Sequence, residues 1–151
     1  MHKPFYASGF LYHLGTAQIL LHQPTDTIVA SSWHLLGGKG TKGEDTKAAF
    51  KRIAHELVKI KLDLKNIIPV YDYFDTHHNL LHYVFYAEVT EQKTSAKQKN
   101  IAWFTFKQAT KLPFTHQTKQ NIIVAERVIK ARVRDEEAKN APPIDPNLKK
   151  S

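Results

Sequence analysis

Four glycines, at positions 37, 38, 40 and 43, lead into Glu44, and a helix's length later come Arg52 and Glu56. Glycine lets a backbone take turns closed to other residues and approach a ligand closely. Where such a stretch feeds a helix, the free N–H groups of the first turn and the helix dipole suit an anion. Gly37, Gly38, Lys39 and Gly40 are therefore the candidates for contact with an anionic ligand. At about 100° per residue, positions 53, 56 and 57 share roughly a third of a helix circumference. That face reads Ile53, Glu56 and Leu57, with Arg52 beside it. Ile53 and Leu57 are an i, i+4 pair that should touch, so one carboxylate stands against an apolar step.

The elements that must position these residues can be read from periodicity and turn signals. Phe5 to Leu14 and Gln18 to His22 read as strands joined near Gly15, and Ile28 to Leu36 reads as an extended stretch around Trp33. Residues 37–45 read as a loop, after which Asp45 or Thr46 caps a helix to about Ile60. Ile67 to Asp75 and Leu80 to Val89 form a hairpin across Thr76-His77-His78-Asn79. A lysine-rich loop, a short strand from Ile101 to Phe106 and a helix from Gln117 to about Lys139 complete the chain. Residues 1–138 are expected to form one domain, and 139–151, with Pro142, Pro143 and Pro146, a flexible tail. The order of elements predicts an α+β fold, a mixed β-sheet with helices packed on it.

The stretch Gly37-Gly38-Lys39-Gly40-Thr41-Lys42-Gly43-Glu44, with Lys51-Arg52-Ile53-Ala54-His55-Glu56-Leu57 behind it, resembles the box of the Nudix family. Gly38, Glu44, Arg52, Glu56 and Ile60 fall on the box positions, and Ala54 is a small stand-in for an aliphatic residue. Ile53, Leu57 and Lys59 replace two glutamates and a glycine, so the box is degenerate. Leu36 stands where proline is usual. Ala102-Trp103-Phe104-Thr105-Phe106 and Lys111-Leu112-Pro113-Phe114 also resemble the family's layout, over about residues 5 to 130. The resemblance implies a MutT-like α/β/α sandwich and a hydrolase that cleaves a pyrophosphate bond in a nucleoside diphosphate-linked substrate. It implies catalytic roles for Glu56, Glu44 and Arg52, with Mg2+ or Mn2+ on Glu56 and Glu44. Residues 37–40 would hold phosphate, and Arg52 would orient the glutamates, with Glu44 as its partner. Because the helix carboxylates are reduced, the other expectation is an inactive Nudix-fold module that binds a nucleotide or phosphate. No acid lies between Gln92 and Trp103 to act as a further ligand or base. Glu88, Glu91, Asp72 and Asp75 are the acids that could substitute.

The remaining signals are less specific. A formal charge of +8 favours polyanionic partners or simply solubility. Lysines 93, 97, 99, 107, 111 and 119 face a single acid, Glu91, in that stretch. They suit substrate phosphates or a solvated face, and a nucleic-acid surface is the lesser reading. With no cysteine there is no disulfide or thiolate chemistry. No membrane-length apolar run occurs, and the chain is read as cytoplasmic. His77, His78 and His82 cluster around the hairpin, where His78 and His82 would share a strand face with no third ligand at metal-site spacing, and His55 reads as a surface or packing residue. The aromatic residues of the hairpin read mainly as core, and could also pair the protein with a second copy.

Overall fold

The computed structural model describes residues 4–23, 32–92 and 100–140. Six strands form one mixed sheet: β1 (Phe5–His13), β2 (Gln18–His22), β3 (Leu36–Lys39), β4 (Ile67–Asp75), β5 (Leu80–Val89) and β6 (Ile101–Thr105). The strand order is β4-β5-β1-β2-β6, with β3 also on β1. One edge of β1 is shared along its length. Residues 6–9 pair with β3 and residues 11–13 with β2, both antiparallel. The opposite edge runs parallel to β5.

Alternation along β1 sends its side chains into two cores. Phe5, Ala7 and Leu11 join Leu36, Phe50, Ile53, Ala54, Val58 and Phe85 on one face. Phe10 and Tyr12 join Ile19, Tyr86, Ile122, Ala125 and Ile129 on the other. Helix α1 (Thr46–Val58) covers the first face. After a short helix, α2 (Phe106–Ala109), the long α3 (His116–Asn140) covers the second. The layers are those of the expected sandwich.

The two hairpin strands lie where expected, and α1 begins as read. Asp45 is its N-cap and accepts from the backbone N–H groups of Lys47 and Ala48. The helix stops at Val58 because Lys59 turns left-handed, with φ 59°, and its N–H returns to the His55 carbonyl. Replacing Asp45 by alanine should cost about 1 kcal/mol and lower the melting temperature by roughly 2–4 °C. An unchanged melting curve would mean that other donors or water cap the helix equally well.

The glycine stretch differs from expectation. Its first half is strand, not loop, because Gly37 and Gly38 pair with Ser8 and Ala7 of β1. A Cβ on Gly37 would lie 2.7 Å from the Tyr6 hydroxyl, and one on Gly38 would lie 3.2 Å from Ile53. Glycine here permits close packing on both faces of a strand. Only Gly43 among the box glycines has a positive φ, at 80°. Of the expected stretch from Ile28 to Leu36, residues 28–31 lie outside the described residues. His34 makes an isolated bridge with His22, and Leu36 opens β3. At the other end, α3 continues to Asn140, past the expected domain boundary at 138. The proline-containing segment from 141 onward lies outside the described residues, as do Lys93, Lys97 and Lys99.

Candidate active site

Glu44, Arg52 and Glu56 come together where the end of β3 meets α1. Arg52 donates from Nε to Glu44 Oε2 at 2.9 Å and from Nη2 to Glu44 Oε1 at 3.0 Å, a two-pronged fork. Nη2 also donates to the Lys39 carbonyl at 3.0 Å. Nη1 reaches both oxygens of Glu56, at 3.1 and 3.3 Å. Glu44 takes two further hydrogen bonds, from the backbone N–H and the hydroxyl of Thr41, each at 3.0 Å. Donors on every side stabilise the ionised carboxylate. Hydrogen bonding from Arg52, the largest influence, helps to lower the Glu44 pKa to about 2. The same contacts raise the Arg52 pKa, Glu44 contributing most. The arginine therefore ties the strand end, the loop and the helix into one unit.

This arrangement does not fit a resident metal cluster. Both oxygens of Glu44 are engaged by nitrogen donors, and both oxygens of Glu56 lie on Arg52. Ile53 is 2% exposed and belongs to the core, beneath Gly38. Leu57 is half-buried, packs on the edge of the same core and borders a cavity. Among the described residues no three His, Cys, Asp or Glu side chains are grouped to hold an ion. Of the two box carboxylates, Glu56 is the accessible one, its side chain 59% exposed against 16% for Glu44.

The residues expected to contact an anion are divided by the structure. Gly37 lines the cavity, whereas Gly38 faces Ile53 and Gly40 packs under the Phe5 ring. Lys39 is exposed, and its carbonyl holds Arg52. The first-turn donors at Lys47 and Ala48 are already taken by Asp45, so the helix start offers less to an external anion than the glycine pattern suggested.

The cavity itself, of about 380 Å3, lies on the α3 side of the sheet. Gly37 and Leu57 bring the box to its wall, Tyr6 and Ser8 come from β1, and Tyr73, Asp75 and His82 from the hairpin. Gln117, Thr118 and Asn121 close it from α3. The buried Asn121 accepts hydrogen bonds from Tyr71 and Gln117, which hold the start of α3 over the hairpin. Two of the three hairpin histidines meet at one carboxylate. His78 Nδ1 and His82 Nε2 lie 2.7 and 3.4 Å from Asp75 Oδ2. Asp75 is one of the four acids that could substitute for a missing box carboxylate, and nothing in the sequence distinguishes it from the other three. Asp72 lines a different cavity, beside Asp45 and Tyr83. His55 is exposed on the solvent side of α1.

The family model for the NUDIX domain matches residues 6–125. Among solved structures, a mutT/nudix family protein from Listeria innocua has a TM-score of 0.69 at 17% identity, covering 88% of this chain and 98% of that one. The NUDIX domain of Shewanella oneidensis NrtR, solved with ADP ribose, has a TM-score of 0.67 at 15% identity, covering 85% and 90%. A MutT/nudix family protein from Enterococcus faecalis has a TM-score of 0.65 at 19% identity and covers 86% of this chain. Here the chain spans only 64% of the other protein's length. At these identities the likeness is one of fold. No curated protein matches. The family match extends over most of the chain, taking in the box, nearly the whole sheet and the start of α3, and the chain belongs to the Nudix family.

Proposed function

We propose that this protein hydrolyses the pyrophosphate bond of a nucleoside diphosphate-linked small molecule, working with a reduced metal site. The observation that carries the reading is the cavity beside the box, bordered by Gly37 from the strand and Leu57 from the helix. Family membership and fold support a hydrolase of the Nudix type in general. The ADP ribose bound by the NrtR domain supports a nucleotide-like ligand. Nudix hydrolases generally use divalent metals. In this reading Glu56, the more exposed box carboxylate, would leave Arg52 to hold Mg2+ or Mn2+ together with the substrate phosphates, and the ion would supply charge neutralisation. One or two protein carboxylates, retained waters and substrate phosphates commonly suffice for such an ion. Glu44 and Arg52 act as the brace that sets the loop and helix, and the Gly37 backbone borders the ligand. The setting is cytoplasmic, with the exposed Phe74 of edge strand β4 the natural contact for a second copy.

Phosphate release from nucleoside triphosphates, dinucleoside polyphosphates and nucleotide sugars, with magnesium or manganese, tests the proposal. Slow turnover by the wild type, reduced about tenfold or more by Glu56→Gln, is the expected result. A specific observation favours a second reading, a non-catalytic binding module: Ile53 is core and Leu57 apolar where carboxylates would serve chemistry. Under that reading neither protein turns over, and ligand binding is indifferent to chelator.

A further inference from the structure

The cavity wall holds a set of groups that the box does not account for. The His82 ring lies between two tyrosines, its centroid 5.0 Å from that of Tyr6 and 4.8 Å from that of Tyr73. Its Nδ1 is 3.2 Å from the Tyr73 hydroxyl. Its Nε2 is buried without a hydrogen-bond partner among the described residues, yet lies only 3.4 Å from Asp75 Oδ2. Asp75 is itself fixed. Oδ1 accepts from the backbone N–H groups of His77 and His78, and Oδ2 from His78 Nδ1. The site therefore combines an oriented imidazole, a carboxylate beside its unpartnered nitrogen and a hydroxyl at its other nitrogen.

The Tyr73 contact fits either ring tautomer, and the Nδ1–H form is the one that can accept a proton at Nε2. With the ring proton on Nδ1, His82 donates to the Tyr73 oxygen and leaves a lone pair on Nε2. That lone pair, beside Asp75 Oδ2, is a place for a proton. Burial lowers the His82 pKa, with Asp75 opposing that shift, so the ring is neutral near pH 7. The contact with His78, the largest influence, lowers the Asp75 pKa and keeps the carboxylate ionised. A neutral base beside a fixed negative charge can accept a proton and stabilise it.

We propose that Asp75 and His82 act together as the proton acceptor of the cleft, in place of the carboxylates lost from the box helix. The proposal rests on the hydrolase reading above. As water attacks phosphorus, a new P–O bond forms, and the bridging P–O bond breaks with its electron pair passing to the departing phosphate oxygen. The water proton passes by way of Asp75 Oδ2, the partly exposed member, to His82 Nε2. The product state is an imidazolium–carboxylate pair, with Nδ1–H still donating to Tyr73. Tyr6 and Tyr73 are positioning residues that fix the ring plane.

The test is the pH dependence of kcat/KM, measured on whichever panel substrate the wild type turns over. Asp75→Asn is the main variant, because asparagine can still accept the His77 and His78 N–H bonds that shape the turn. Asp72→Asn, on the other cavity, is the control. The expected result is a loss of about 10²-fold or more in kcat for Asp75→Asn, with KM within a few-fold and the control like wild type. The wild-type rate should fall on the acid side as His82 takes up its proton. Removing the Asp75 charge should move that limb to lower pH, and His82→Asn should abolish it. The other titratable groups facing this site are Tyr6, Tyr73 and His78, with His22 and His34 on the cavity wall. Their retention in both variants isolates the pair. The melting temperature of each variant, measured alongside, identifies losses caused by unfolding. Turnover with unchanged kcat and an unchanged acid limb in folded Asp75→Asn and His82→Asn overturns the acceptor pair and leaves the hydrolase reading standing. Absence of turnover by the wild type overturns both.

Discussion

Replacing Arg52 by methionine should destabilise the protein by about 2 kcal/mol, the scale of lost hydrogen bonds to charged groups, and lower its melting temperature by roughly 4–8 °C. Methionine keeps most of the side-chain length but removes the fork to Glu44, the contact with Glu56 and the bond to the Lys39 carbonyl. The larger part of the effect comes from what remains behind. Glu44, its side chain only 16% exposed, would keep the two Thr41 bonds and lose its counter-charge. The guanidinium is a third exposed, and solvent screening holds the cost below that of a fully buried pair. Lysine should restore little, because an ammonium cannot span both Glu44 oxygens and the Lys39 carbonyl in one plane. A double-mutant cycle with Glu44→Gln checks the attribution. If the two losses simply add, the pair is not coupled and the brace is no brace.

The same contact predicts an acid-sensitive component of stability. The folded-state pKa of Glu44 lies at about 2, below the ordinary 4.5. A depressed carboxylate pKa means that the unfolded chain takes up the proton first as pH falls. The contribution is therefore complete above about pH 4.5 and is lost as pH drops towards 2. Glu44→Gln should lack this component, so its stability curve and that of the wild type should converge over that window.

The positions of the box residues were legible in the sequence because each carries a type that its place requires. Glu44, Arg52 and Glu56 are spaced so that one guanidinium reaches both carboxylates, and the hairpin strands announced themselves by length, aromatic content and a polar turn. Two features were hidden. The pair Gly37-Gly38 looked like loop because glycine is a poor strand residue. It is strand here because it pairs with Ser8 and Ala7 of β1, and glycine suits it because the Tyr6 ring crowds one face and Ile53 packs tightly on the other. The second feature lies in β4. Pro69 pairs with Phe85 while Tyr71 pairs with Val84, so Val70 is an extra residue, a bulge. Before it, Ile67 faces the α1 core; after it, Tyr71 and Tyr73 pack with the α3 core and Asp75 reaches the cavity. Simple alternation from Ile67 would have sent all three to the opposite face. One inserted residue thus decides which acid of β4 reaches the cleft, and no single-residue signal marks it beyond a proline that only an edge strand or bulge tolerates.

The largest stability effect is expected at Ile53, which stands where the box pattern it resembles carries a glutamate. Ile53→Glu would place a carboxyl group in a core of Phe50, Ala54, Val58 and Phe85, at a site 2% exposed and closed above by Gly38. The isoleucine contacts would be lost, and the new group would have to be buried neutral or drag water inward. Together these should cost about 3–5 kcal/mol, enough to unfold much of a marginally stable domain. Leu57→Glu, directly beside Glu56 in the sequence, is a different experiment. Leu57 is half-buried on the cavity wall, where a carboxylate can reach solvent, and its replacement should cost about 1 kcal/mol. The two variants thus separate the two losses from the box. If Ile53→Glu melted like the wild type, the α1 face at 53 would be open to the cleft in solution and the reduced metal site would be a matter of sequence alone. If it unfolds while Leu57→Glu stays folded and binds Mn2+ more tightly, then one lost carboxylate has become part of the core, and only the other could be regained by a single substitution.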